Sequence, residues 1–123
     1  MSERTTSFSF VRSLATRWPG LGPILEEHIN DNFGEILPHV FFGDLTRYVL
    51  SLLGEASRGD EAARRELREI LDYLEETYAG GDVELQELIF VSFLENLPRP
   101  DEDGAQIREM VGPHLRRQLL VIG

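Results

Sequence analysis

The 123-residue chain contains no cysteine and no lysine. Without cysteine, structural disulfides, thiolate metal sites and cysteine nucleophiles are excluded, and nothing points to an oxidising compartment. A cytoplasmic protein is the plain expectation. All twelve basic residues are arginine, a usage to which we attach no functional weight, and 22 acids outnumber them for a net charge of -10. Such a balance argues against direct nucleic-acid binding, whose affinity comes from cations that displace counterions from phosphates. Long apolar runs are also missing: none approaches the ~18 residues of a membrane span. The opening "MSERTTSFSFVRSLATRW" has the arginines and hydroxyls of a transit peptide, but it carries Glu3 and has no secretory apolar region.

Strand signals are equally scarce, since the terminal "LLVIG" is short, and no internal repeat stands out. Helical spacing is abundant. Phe10, Val11, Leu14, Ala15 and Trp18 recur as one face, which predicts a helix from about Ser7 to Arg17, ended by Pro19 and Gly20. Pro23 suits the first turn of the next helix, with Leu25, Ile29 and Phe33 as its apolar stripe and Gly34 as its stop. Asp44 reads as the N-cap of a third helix carrying Leu45, Tyr48, Val49, Leu52, Leu53 and Ala56 on one face. Before it, Ile36, Leu37, Val40, Phe41 and Phe42 read as an apolar plug at a helix junction.

Asp60 is the candidate cap of the strongest helix, whose buried face is Ala63, Leu67, Ile70, Leu71, Leu74 and Tyr78 and whose stop is Gly80 with Gly81. Its outer face spaces Glu61 to Arg65, Arg65 to Glu69 and Arg68 to Asp72 four apart, pairs that each add a few tenths of a kcal/mol. Asp82 then caps a helix over about 83–97 whose apolar residues cover most of its circumference. The loop "PRPDEDG" follows, and a last helical stripe is interrupted at Gly112 and Pro113. The expectation is one all-α domain over residues 1–123, with five or six helices in antiparallel pairs, a HEAT-like bundle being one such form. At this length folding buries roughly two-thirds of the surface that the unfolded chain exposes.

Chemistry-bearing patterns are thin. The histidines, His28, His39 and His114, lack metal-ligand spacing, and the best metal set, His28, Asp31, His39 and Asp44, needs two segments to converge. There is no G-x-S-x-G and no glycine-rich phosphate cradle: "GLG" at Gly20 to Gly22 and "AGGD" at Ala79 to Asp82 both read as turns. Acid pairs such as Glu26/Glu27, Glu75/Glu76 and Asp101/Asp103 are expected by chance among so many acids. No cofactor is called for, and a metal-dependent enzyme is the least favoured reading.

What remains is an acidic surface: Glu26, Glu27, Asp31 and Glu35 along one segment, Asp44 nearby, and Asp101, Glu102 and Asp103 on a loop. A focused negative field steers a basic protein and holds it by charge-assisted bonds. The leading expectation is therefore a non-enzymatic binder of a basic protein partner, one that itself handles nucleic acid being the natural kind, with those eight acids as the contact. The alternative is a homo-oligomeric structural or regulatory protein with Phe90, Val91 and Phe93 at the subunit interface.

The segments "GEILPHVFFGDLTRYV" (Gly34 to Val49), "FLENLP" (Phe93 to Pro98) and "VGPHLRRQL" (Val111 to Leu119), in that order, resemble a family of small bacterial all-helical proteins of unknown function. The resemblance covers most of the chain from about Pro19 onward. It implies a helical domain of this length and suggests toxin-immunity systems, in which small acidic proteins neutralise a cognate toxin. Its motifs specify a fold and not a reaction, and they carry over no immunity residues.

Overall fold

The computed structural model describes residues 3–122. Among these residues the chain forms seven α-helices and two 3-10 turns, with no strand. The helical class is as expected; the count exceeds five or six because the C-terminal region breaks into short pieces. Helix α1 (Glu3–Arg17) begins a turn earlier than its apolar stripe implied and leads through the 3-10 turn Pro19–Leu21 into α2 (Gly22–Asp31). Then come α3 (Pro38–Ser57), α4 (Glu61–Ala79) and α5 (Val83–Ser92), followed by the 3-10 turn Leu94–Asn96, α6 (Ile107–Met110) and α7 (Pro113–Ile122).

The α3 start corrects the sequence reading. Asp44 is not a cap; it lies nearly two turns inside the helix, which opens at Pro38 with Leu37 as N-cap. Proline at the first helical position has no N–H to leave unsatisfied and a φ already set for the helix. Gly43, the residue before Asp44, lies within the helix as well. Phe41 and Phe42 do plug the core, whereas Leu37 and Val40 are exposed.

The other two caps are as expected: Asp60 accepts from Ala63 N–H at 3.0 Å and Asp82 from Leu85 N–H at 3.0 Å. Helices α3 and α4 are joined by residues 58–60 alone and pack against each other more extensively than any other pair, so they run antiparallel. Their shared core includes Leu45, Val49, Leu67, Ile70, Leu71 and Leu74, all fully buried. Each such side chain contributes about 1.5–3 kcal/mol by burial, far more than any outer-face charge pair. The three i,i+4 pairs expected on α4 do not form ion pairs among the described residues; Arg64 reaches Glu61 at 4.0 Å, and Arg68 donates to the Met110 carbonyl at 2.9 Å.

Helix α5 is covered on several sides, by α1, α3 and α4. Phe93 is fully buried just beyond its end, so it belongs to the core and cannot serve a subunit interface. Phe90 is half-buried and Val91 exposed. The break at Gly112 and Pro113 is as predicted, and α7 starts there under a cap supplied by α4: Glu75 accepts from His114 N–H at 3.0 Å and from Leu115 N–H at 3.1 Å.

Candidate functional site

A cleft of about 540 Å³ runs between α2 and α3. Glu27 and Asp31, four residues apart on α2, stand on one wall, and Asp44 stands on the other, among apolar Ile24 and Val40. Asp44 is ion-paired with Arg47, the helix neighbour that also lines the cleft. Tyr48 also lines the cleft and donates its hydroxyl to Glu66; burial and the adjacent carboxylates of Glu66 and Glu55 push its ionisation above the usual tyrosine range. It therefore stays a neutral donor, and the net field of the cleft is negative.

Three of the eight sequence-derived contact residues, Glu27, Asp31 and Asp44, thus share one cleft. Glu26 and Glu35 are exposed on the same stretch of chain without lining it. Asp101, Glu102 and Asp103 do not join them. Their loop is exposed, and Glu102 instead lines a separate groove with Arg99 and Arg108. Within that loop Glu102 accepts from Arg99 N–H at 2.7 Å, so part of its charge is engaged in holding the turn.

The candidate metal set comes apart in the same way. His28, Asp31 and Asp44 line the same cleft without converging on a point, and His39 points elsewhere, with Nδ1 2.5 Å from Ser92 Oγ. Among the described residues no three His, Cys, Asp or Glu side chains converge as a metal site. His28 is only 2% exposed and is occupied within the fold. Its Nε2 accepts from Leu37 N–H at 2.9 Å, and its ring meets Phe41 edge-on at 5.9 Å. Asn32 Nδ2 donates to the His28 carbonyl at 2.7 Å. The histidine pins the chain where α2 turns toward α3.

Sequence spacing carries no sign of the His39 and Ser92 pair, 53 residues apart. Ser92 is 5% exposed and absent from the lining of the adjacent pocket, which holds Phe8, Leu37, His39 and Glu84, so its hydroxyl satisfies the histidine and is not presented to a substrate. A further groove, of about 360 Å³, is equally unannounced. Glu69, Asp72 and Glu76 line it with Trp18 and Tyr73, and Arg17 lies 4.5 Å from the Tyr73 ring centre. Each groove thus carries one arginine among three carboxylates: Arg17 here, over the Tyr73 ring, and Arg47, tied to Asp44, in the α2–α3 cleft. The available signal is the i, i+3, i+7 spacing of Glu69, Asp72 and Glu76, a pattern that by itself reads as a solvated helix face.

The architecture is that of an all-helical domain with carboxylate-lined surface clefts. The chain belongs to the family described as Domain of unknown function (DUF7674), which it matches over residues 11–121. A family of unknown function is what the three sequence segments implied. No curated protein and no solved structure matches the chain. Among the described residues no helix is long and apolar enough to cross a membrane.

Proposed function

We propose that this chain is a non-enzymatic, cytoplasmic protein-binding domain whose acidic face receives a basic protein partner, in the manner of an immunity or antitoxin-like inhibitor. The observation that carries this reading is the α2–α3 cleft, where Glu27 and Asp31 face Asp44 and only Arg47 answers them. From Glu26 to Asp44 the sequence holds five carboxylates and no arginine, so even with Arg47 paired to Asp44 the net field there is negative. A basic surface gains rate and orientation from that field, and charge-assisted hydrogen bonds on contact. A nucleic-acid-handling toxin has a basic site of this kind, and covering it would inhibit it.

The loop Asp101 to Asp103 is a secondary contact at most, because it lies at another groove. The test is to mix the purified protein with the product of a neighbouring gene and follow the pair by size exclusion and titration. A stoichiometric complex that weakens as salt rises is expected. No complex at low salt, or one indifferent to salt, defeats the reading.

A further inference from the structure

The geometry points to Phe33 as the apolar anchor of this acidic face, a ring that inserts into an apolar pocket on the basic partner. The inference rests on the binding reading above and deepens it. Phe33 is 97% exposed, while 27 apolar residues among those described are buried in a single cluster. Its φ is 57°, the left-handed region, which non-glycine residues enter at a steric cost. It occupies the position after the α2 cap, Asn32, where helices ordinarily place glycine. The chain has a glycine within reach, Gly34, yet sets it one residue later at φ 85°.

The turn that carries the ring is tied on both sides. Gly34 N–H donates to the Ile29 carbonyl at 2.8 Å, and Glu35 N–H to the Asn32 carbonyl at 3.1 Å. The His28 bond to Leu37 N–H closes the far side. The backbone that carries Phe33 is therefore ordered and holds the ring out toward solvent. An aromatic on an ordered backbone has only two χ angles to settle on contact, a common form of binding hot spot.

Charge selects the occupant. Phe33 is bracketed in sequence by Asp31 and Glu35, within the stretch of five carboxylates without an arginine. A second copy docked face to face would oppose those acids with the same acids, and an anionic surface would be repelled. The complement is a basic protein with an apolar pocket rimmed by arginine or lysine.

The experiment places p-benzoylphenylalanine at position 33 in the full chain, in its native cells, with Val83, 75% exposed, as the control position. The captured protein is then purified and titrated with the wild type, Phe33→Leu and Phe33→Gly. The expected result is an adduct specific to position 33 with a basic protein, an affinity that falls roughly thirtyfold in Phe33→Gly, and a smaller loss in Phe33→Leu, which keeps an apolar side chain without the ring. Phe33→Gly should keep or raise the Tm, because glycine relieves the left-handed backbone, so the lost affinity is not lost folding. A salt-sensitive complex that Phe33→Gly leaves intact overturns the anchor and spares the acidic-face reading. An adduct with a second copy of the chain, or with an acidic protein, overturns the anchor as well. No salt-sensitive complex at all overturns the reading beneath it.

Discussion

Glu75 of α4 holds His114 of α7 twice: its Oε2 accepts the main-chain N–H at 3.0 Å and lies 2.6 Å from the ring Nδ1. The other oxygen accepts from Leu115 N–H at 3.1 Å. Pro113 opens α7 and has no N–H, so one carboxylate from a distant helix satisfies the next two donors of the first turn. Burial opposes ionisation of Glu75, but the two main-chain donors and His114 outweigh it and hold its carboxyl below the ordinary value of 4.5.

Glu75→Ala should therefore destabilise the protein by about 1–2 kcal/mol, the usual cost of a lost cap, read as a lower urea midpoint. The pH dependence follows from the lowered folded value. The unfolded chain takes up the proton first as pH falls, so the stabilisation is full above about 4.5 and disappears as pH drops through the folded value. Glu75→Gln should flatten the stability profile in that acid range. A profile unchanged by this substitution would show that the carboxylate does not carry the effect.

Gly112 faces the same carboxylate. A Cβ there would come within 2.5 Å of Glu75 Cγ and 2.6 Å of its Cδ. Gly112→Ala is expected to displace Glu75 and destabilise the fold, and to cost less in a Glu75→Ala background, where nothing blocks the methyl. The double-mutant cycle measures that coupling; strictly additive losses would contradict the contact.

His28→Phe keeps a ring against Phe41 but removes the acceptor for Leu37 N–H. A donor left without its partner costs about 1–3 kcal/mol. The thermal midpoint should drop, and amide exchange should accelerate at Leu37 more than at Leu45 in the buried face of α3.

Replacing Glu27, Asp31 and Glu35 together by their amides should slow association with a basic partner by about tenfold at low salt, an effect that added salt erases. The same change at Asp101, Glu102 and Asp103 should do less, because that loop lies at a different groove. Stopped-flow rates for the two triple variants decide between the faces.

Much of the fold was legible in the sequence because periodicity is local. Asp60 and Asp82 sit immediately before apolar helical stripes and do cap them, and Gly112 with Pro113 marks the α6–α7 break. Asp44 misleads because a good capping residue after a glycine looks like a start, while Pro38, six residues earlier, already begins the helix. Phe93 misleads because on a helix apolar around its circumference, sequence alone does not say which faces neighbours cover. The candidate site was legible only along one stretch. Glu27 and Asp31 lie four apart on α2, but that Asp44 would face them, and the loop at Asp101 would not, depends on how α2 folds back on α3.

The His28 tie between α2 and the start of α3 bears on kinetics. Opening or closing the cleft would break the bond between the buried His28 ring and Leu37 N–H, which opposes any change in the spacing of its walls. On the proposed binding reading, recognition at this surface is rigid docking, with little reorganisation after encounter. Capture speed then depends on long-range attraction and the fraction of collisions that arrive correctly oriented, and residence time on what the visitor's own surface supplies.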